Sequence, residues 1–251
     1  MNPTISVVVS AARPKLWLDL YSSMGENTVS FEVLFVGPNS PGCQLPSNVS
    51  FVKSSTKPVQ CFEIGTRLAL GQYLLFLADD TFFCTPHPLD DLYAQYVAFN
   101  NEKLMVSCRY GEGSGSCFTK VFPRENHLAS GDSRNPVYMP VGFIMNRTYY
   151  RYLGGLDRNF IAVYWDLDLC FRVVEDGGLT ALSDVWLVEQ KDKHDDIFMY
   201  IAFSGADKDV TLKRLWPMFG IHSNFKRTAS VMPFTNYKIL EESQGLKGRW
   251  I

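Results

Sequence analysis

Short, nearly continuous apolar runs alternate with helical patterns through the first hundred residues, and this order constrains the fold more than any other feature. The runs "ISVVVS", "FEVLFVG", "VSFVK" and "YLLFLA" are rich in β-branched and aromatic residues, as expected of strands buried on both faces. Helical patterns separate them at residues 15–24 and 59–70. The order β-α-β-β-α-β predicts an α/β fold, a three-layer sandwich with a mainly parallel central sheet.

Further elements are predicted in the second hundred residues. The pattern indicates helices at 89–99 and 148–153 and strands at 104–110, 141–147 and 180–190. The clearest helix starts at Asp166 and carries an apolar stripe at i, i+3, i+4 and i+7, made of Leu167, Cys170, Phe171 and Val174.

Two segments, 111–117 and 123–136, are rich in Gly, Ser, Asn and Pro, which predicts long loops. Such loops are either binding lids or simply disordered, and the sequence leaves both interpretations open.

Composition excludes several classes of protein. A chain of 251 residues that is 46% hydrophobic can bury one large core, which favours a single domain. The 24 basic and 26 acidic residues are mixed along the chain, so we expect no nucleic-acid partner. The six cysteines include no C-x-x-C pair, which argues against a zinc ribbon. The first apolar run is too short for a signal or a transmembrane segment, so a cytoplasmic location is expected.

Two adjacent aspartates, Asp79 and Asp80, follow the strand "YLLFLA" directly. Open α/β sheets bind ligands outside the carboxyl ends of their strands, and two hard oxygen ligands suit Mg²⁺ or Mn²⁺. Asp is also a common turn former, so a plain strand-to-helix turn is the alternative.

Asp166 also has two compatible interpretations. At a helix start its carboxylate can act as an N-cap. A carboxylate held in this way is also rigid and ionised, as a general base must be. Two positions on, Asp168 and Arg172 are spaced i, i+4, which predicts a surface ion pair.

His194, in "QKDKHDD", lies beyond the last predicted strand. A neutral imidazole there could complete a divalent-metal site, although its charged neighbours fit an exposed histidine equally well.

Taken in order, four segments resemble a family-2 glycosyltransferase with the nucleotide-sugar-binding A-type fold. They are "ISVVVSAARP", "FEVLFVGPNSPG", "IGTRLALGQYLLFLADDTFF" and "NRTYYRYLGGLDRNFIAVYWDLDLCFRV", and the likeness spans about residues 4–195. The resemblance implies one domain over 1–204, with a nucleotide-sugar-binding half at 1–110 and an acceptor-binding half at 111–204. Residues 205–251 would form a C-terminal extension packed on it.

The resemblance also implies roles for individual residues. Asp80 matches the metal-binding Asp of the DxD motif, His194 falls near a late metal-ligating histidine, and Asp166 matches the general base. Residues matched to nucleotide binding are Ser10, Ala11, Ala12, Arg13, Gly37, Lys57 and Asp79.

The chain also departs from the family pattern. Ala78 stands where many members have the first Asp of DxD, and Trp165 replaces a Glu that often precedes the base. Gly37 and Pro38 replace acidic residues that contact the nucleoside, and Glu63 occupies a position that is commonly Asn.

An inverting, metal-dependent sugar transfer is the function that the resemblance implies. The donor would be a nucleotide sugar, with UDP-sugar ahead of GDP- or dTDP-sugar, and the acceptor a hydroxyl of a glycan or similar molecule. Mn²⁺ or Mg²⁺ would be the cofactor. The altered pocket leaves a non-catalytic nucleotide-sugar or glycan binding module as the alternative. A nucleotidyltransferase ranks lower, because "SAARPK" lacks the Gly-rich loop of that class.

Overall fold

The fold is known from a computed structural model that describes residues 2–114, 117–121, 127–128, 137–138, 142–162 and 165–190. The helices are α1 (Pro14–Ser23), α2 (Pro58–Leu68), α3 (Pro88–Ala98), α4 (Arg147–Tyr152) and α5 (Trp165–Glu175). The strands are β1 (Ile5–Ser10), β2 (Phe31–Gly37), β3 (Val49–Lys53), β4 (Tyr73–Ala78), β5 (Thr81–Phe83), β6 (Leu104–Ser114), β7 (Cys117–Val121), β8 (His127–Leu128), β9 (Val137–Tyr138), β10 (Phe143–Asn146) and β11 (Leu179–Gln190). The predicted C-terminal extension, 205–251, lies outside the described residues.

One large sheet organises the chain, in the strand order β3-β2-β1-β4-β10-β6-β11-β5, with β7 paired to β6. Strands β1 to β4, β6 and β11 all run in one direction, whereas β5, β7 and β10 run against them. The predicted α/β architecture with a mainly parallel central sheet is therefore confirmed. Within the described part of the chain, β8 and β9 form a separate two-stranded sheet.

Helices cover both faces of this sheet, as the buried-strand pattern requires. Helices α1 and α3 pack on one face, where Trp17, Leu20, Leu89 and Leu92 join the core. Helices α2, α4 and α5 pack on the other face, where the core includes the rings of Phe62, Phe76 and Trp165. The alternating strand residues divide between the two clusters: Val8 and Phe76 face α2, and Val7 and Leu75 face α1.

Most predicted elements are confirmed, with corrections to several bounds and to the short strands; β8 lies inside the predicted 123–136 loop, whose other residues lie outside the described ones. Strand β6 runs on to Ser114, so the start of the predicted 111–117 loop is strand that pairs with β7 and β11. Glycines in this stretch hid the strand because they lower the apparent strand propensity. The three-residue strand β5 was not predicted, because it is too short to show a periodicity. Each of the five helices begins one residue before its predicted start, α5 at Trp165, and the strands β7, β8 and β9 were not predicted.

Among the residues that the structure describes, no helix is both long enough and apolar enough to cross a membrane.

Candidate functional site

The carboxyl ends of β1, β2 and β4 meet at one edge of the sheet, which we call the carboxyl edge. Ser10, the last residue of β1, is paired with Val36 on one side and with Ala78 on the other. The chain then turns into α1 through Ala11 and Ala12, and the Ala11 N–H donates to the Val36 carbonyl oxygen at 2.8 Å. The turn predicted to hold a nucleobase therefore lies directly beside Asp79 and Asp80.

Gly37 ends β2 where the backbone of the β1–α1 turn passes closest. A Cβ atom on Gly37 would lie 1.5 Å from the Ala11 carbonyl oxygen, a distance that no side chain can tolerate. The departure from an acidic residue at this position is thus a consequence of how tightly β2 and the turn pack. Any nucleotide contact by Gly37 would have to use its backbone.

Asp79 is buried, and three donors converge on its carboxylate. Its Oδ2 accepts the Arg13 backbone N–H at 2.5 Å and the Trp17 indole N–H at 3.3 Å, while its Oδ1 accepts from Arg13 Nη1 at 2.5 Å. Burial raises the pKa of Asp79, and the guanidinium of Arg13 opposes that rise. These bonds make Asp79 a clamp on the β1–α1 turn.

The local sequence explains why these donors are available. Pro14 starts α1, so Arg13 is the N-cap residue, and its backbone N–H lies before the first helical turn. Trp17 lies on the buried side of α1, where its ring stacks on Phe35 at 4.6 Å and holds the indole N–H under Asp79.

Asp80 is also buried, and its Oδ2 lies 3.4 Å from the same Arg13 Nη1. Its backbone carbonyl accepts the Gln190 N–H at 2.8 Å, which ties the end of β4 to the end of β11. One guanidinium thus lies between two adjacent carboxylates. This arrangement offsets the like-charge repulsion that the sequence "DD" implies.

Gln190 was not predicted to belong to this site. It is buried, and within the part of the chain that the structure describes no hydrogen-bond donor reaches its side-chain oxygen Oε1. A buried amide oxygen without a partner costs free energy, so this position is unusual for a residue with only a structural role.

Asp166 lies in the first turn of α5. Its Oδ1 accepts the Leu167 backbone N–H at 2.9 Å, and its side chain keeps partial solvent access. Burial among protein atoms raises the pKa of Asp166 to about 6, against the lowering effect of the backbone N–H groups. The carboxylate is therefore fixed in position and ionised at neutral pH, although it binds a proton more readily than an ordinary aspartate.

Trp165 anchors this end of α5 to the sheet. Its ring lies 4.6 Å from that of Phe62 and 5.7 Å from that of Phe76, two residues before the end of β4. Just before α5, the Ile161 carbonyl accepts the Val59 N–H at 3.0 Å at the start of α2. Ile161 and Trp165 thus both contact α2.

The ion pair predicted between Asp168 and Arg172 is present, but the prediction that it lies on the surface is wrong. Both side chains are buried, and Arg172 Nε donates to Asp168 Oδ2 at 3.0 Å. Arg172 Nη1 also donates to the carbonyls of Leu153 and Gly155, at 2.8 and 2.5 Å. The predicted "GGLD" turn leaves these carbonyls pointing inward, and Gly155 has a φ of 69°, a conformation that glycine adopts without strain.

Three other positions singled out in the sequence are Lys57, Glu63 and His194. Lys57 is the N-cap residue of α2 and is exposed. Glu63 is buried on the inner side of α2, and its carboxylate accepts the Tyr150 hydroxyl at 2.6 Å, away from the solvent. His194 lies outside the described residues.

No model of a protein family matches the chain, and no curated protein sequence matches it. Solved structures do match. GalNAc-T7 with UDP, GalNAc and Mn²⁺ has a TM-score of 0.55 at 13% identity, covering 75% of this chain and 44% of that one. The fold is the glycosyltransferase A-type fold.

Two structures of Staphylococcus aureus TarS 1–349 agree with this assignment. The first has a TM-score of 0.56 at 14% identity over 76% of this chain, and the complex with UDP-GlcNAc has 0.57 at 15% over 77%. Each alignment covers 60% of the TarS chain, so the present chain spans less than two thirds of the length of each of these three neighbours.

Sequence reasoning missed the donors that surround Asp79 and the orphaned oxygen of Gln190. A usable signal existed for Trp17, which lies four residues after Arg13 on the inner side of a predicted helix. Gln190 carried a weaker one, as a polar residue that ends the apolar strand "VWLVEQ".

Proposed function

We propose that this protein is an inverting, metal-dependent glycosyltransferase that moves a sugar from a nucleotide-diphosphate donor, a UDP-sugar in the first instance, to a hydroxyl of a glycan or similar acceptor. The observation that carries the proposal is the pair of buried carboxylates at the end of β4, beside Arg13, in a fold shared with structures solved with UDP and Mn²⁺. This edge is where open α/β sheets bind nucleotides.

Each residue of the carboxyl edge has a distinct part in the proposal. Asp79 holds the β1–α1 turn, so that the backbone of Ser10, Ala11 and Ala12 is shaped for the nucleobase and ribose. Asp80 is the carboxylate that faces the diphosphate side. Lys57 is exposed at the start of α2 and follows the end of β3 closely in sequence. Its side chain would contribute positive charge to nucleotide binding.

The residues fit a divalent cation of the Mg²⁺ or Mn²⁺ type. Asp80 supplies a carboxylate, and Gln190 adds a buried amide oxygen without a donor, both of them hard oxygen ligands. His194 stays a proposed additional ligand. When bound, the metal ion would act as a Lewis acid that offsets charge on the departing nucleoside diphosphate.

Asp166 is the proposed general base. A proton on an acceptor hydroxyl must be removed as the oxygen attacks the sugar C1, and the breaking bond is the one from C1 to the diphosphate oxygen. Attack from the opposite face inverts the anomeric carbon. A pKa of about 6 suits this role, because the carboxylate is ionised at neutral pH and still binds a proton well enough to accept it.

A non-catalytic binding module is the second candidate, and one observation favours it. Asp79 uses both of its carboxylate oxygens on Arg13 and Trp17, so in this structure they are engaged by the protein itself. A module that only binds a nucleotide sugar would need no general base and no metal-dependent catalysis.

A donor screen distinguishes the two candidates. The protein is warmed with each of several UDP-, GDP- and dTDP-sugars and Mn²⁺, and a rise in melting temperature identifies the donor that it binds. Release of the nucleoside diphosphate is then measured for wild type and for Asp80→Ala. The enzyme proposal predicts release by wild type and its loss in Asp80→Ala. Binding without any release, with or without added glycan acceptors, would favour the module.

A further inference from the structure

We propose that the side-chain oxygen of Gln190 is a second protein ligand of the divalent cation held by Asp80. The inference rests on the proposed function for the existence of that cation, and it assigns a residue that neither the sequence patterns nor the resemblance indicated. Three observations support it: the pairing of Gln190 with Asp80, the face of the sheet on which it lies, and its unsatisfied oxygen.

Gln190 lies one residue beyond the last paired position of β11 and β5, and Asp80 lies one residue before β5. Strand β11 pairs with β5 so that Glu189 is opposite Thr81, and one further step in that register places Gln190 opposite Asp80. The hydrogen bond from the Gln190 N–H to the Asp80 carbonyl, 2.8 Å, follows this register. Directly opposed residues have Cβ atoms about 5 Å apart, which lets two side-chain oxygens reach one ion.

Gln190 also lies on the face of the sheet that carries the proposed base. Side chains alternate along β11, and Leu187 belongs to the core cluster on the α1 and α3 face. Gln190, three positions on, therefore lies on the opposite face, which α5 covers. Gln190 therefore shares its face of the sheet with α5, the helix whose first turn holds Asp166.

The hydrogen-bonding chemistry of Gln190 Oε1 determines which kind of ion it can bind. Oε1 is an acceptor, and Asp80, the buried residue whose backbone carbonyl accepts the Gln190 N–H, carries a carboxylate that is an acceptor as well. A cation would stabilise both acceptors, and carboxylate and amide oxygens are the ligands that Mg²⁺ and Mn²⁺ use. An anionic phosphate group would be repelled by the same pair.

The alternatives within the described residues are few. No group of three or more His, Cys, Asp or Glu side chains comes together there to hold a metal ion. Asp79, the nearest second carboxylate, has both oxygens bound to Arg13 and Trp17. A neutral ligand such as Gln190 therefore completes the site without adding a third negative charge.

The test is a direct measurement of Mn²⁺ binding by electron paramagnetic resonance, which detects the free aqueous ion. Wild type, Gln190→Ala, Gln190→Glu and the control Gln72→Ala are titrated with Mn²⁺ alone and again with UDP present. Gln72 is exposed and lies next to the other end of β4. We expect Gln190→Ala to weaken Mn²⁺ binding at least tenfold. Substitutions of residues that only hydrogen-bond to metal ligands already lower metal affinity or activity about 10- to 100-fold. Gln190→Glu should bind at least as tightly as wild type, and Gln72→Ala should match it.

Unchanged Mn²⁺ affinity in Gln190→Ala, with and without UDP, would overturn the inference, as would a wild-type protein that binds no Mn²⁺ under either condition. If Gln190→Ala does not fold, Gln190→Glu decides, because a carboxylate that ligates the ion must keep or raise the affinity, and a lower affinity contradicts the assignment. The protein could also bind Mn²⁺ through Gln190 and yet release no nucleotide from any donor. That result would support this inference and refute the proposed transferase.

Discussion

Replacing Asp166 by Asn should make the protein more stable at neutral pH. The buried position of Asp166 raises its pKa from the ordinary value of 3.8 to about 6, so the native state binds the proton more tightly than the unfolded chain. Between these two values the native state carries the extra proton, and the free energy of unfolding falls as the pH rises. Above pH 6 the full cost of the buried charge is present, and Asn carries no such charge.

The magnitude follows from the shift. A change of about two pKa units corresponds to about 3 kcal/mol at about 1.4 kcal/mol per unit. The Asp166 side chain keeps partial solvent access, which screens the effect, so we expect Asp166→Asn to gain about 1–3 kcal/mol at pH 8. The gain should be nearly absent at pH 4, where both side chains are neutral in the native state. The bond from the Leu167 N–H survives, because an Asn oxygen also accepts.

The assay is urea unfolding of both proteins from pH 4 to pH 8, with the free energy of unfolding obtained by linear extrapolation. Asp90→Asn is a control of opposite sign. Slight burial raises the pKa of Asp90, but bonds from the backbone N–H groups of Thr28 and Val29 and the Thr28 hydroxyl outweigh it and lower the pKa overall. Its stabilising effect is present above the unfolded pKa and disappears as the pH falls, so Asp90→Asn should destabilise the protein at neutral pH.

A stability of Asp166→Asn that equals wild type at every pH would refute the burial argument for Asp166. A loss of stability at pH 8 would show that the carboxylate gains more from its backbone bonds than it loses by desolvation.

Three further perturbations test the packing around the site, each by urea or thermal unfolding. Tyr150→Phe removes the 2.6 Å bond to the buried Glu63 carboxylate and should cost about 1–3 kcal/mol; a neutral result would mean that the remaining partners of Glu63, Arg67 among them, satisfy it. Arg172→Met removes the guanidinium that pairs with the buried Asp168 carboxylate and should cost about 3–5 kcal/mol, whereas a loss below about 1 kcal/mol would contradict the buried pair. Gly37→Ala places a Cβ against the Ala11 carbonyl and should cost about 1–3 kcal/mol or more and lower the donor-induced thermal shift; unchanged values would mean that the turn moves freely.

The strands of the parallel half could be predicted from sequence to the residue, and the reason is physical. Strands β1, β2 and β4 are largely buried on both faces, so most of their positions are apolar, and the run ends where the chain leaves the sheet. Such runs have sharp ends. The glycine-rich part of β6 and the three residues of β5 have no such signal, because their conformation is imposed by β11 across the sheet.

The site was predictable in its location more than in its contacts. The position of Asp79 and Asp80 at a strand end followed from topology, as did Asp166 at a helix start. That Asp79 is bound to Arg13 and Trp17 required knowledge of how α1 sits on the sheet, since nothing local to "LADDT" shows it.

For the ion pair of Asp168 and Arg172, the sequence predicted the partners but not their burial. Spacing of i, i+4 identifies an ion pair on a helix but does not say which side of the helix meets the core. The inward carbonyls of Leu153 and Gly155 determine that Arg172 is buried, and these come from a turn seventeen or more residues earlier in the chain.

The rate of nucleoside diphosphate release as a function of pH, for wild type and Asp166→Asn with the donor from the thermal screen and its acceptor, tests the proposed mechanism most directly. With Asp166 as the base, the wild-type rate should rise with pH to a plateau, with an apparent pKa near the value of about 6 for Asp166. Asp166→Asn should be slower by roughly 100-fold or more, without that rising limb and with donor affinity nearly unchanged. A variant that keeps more than about a tenth of the wild-type rate, or the same pH dependence, would contradict the assignment of Asp166 as the base.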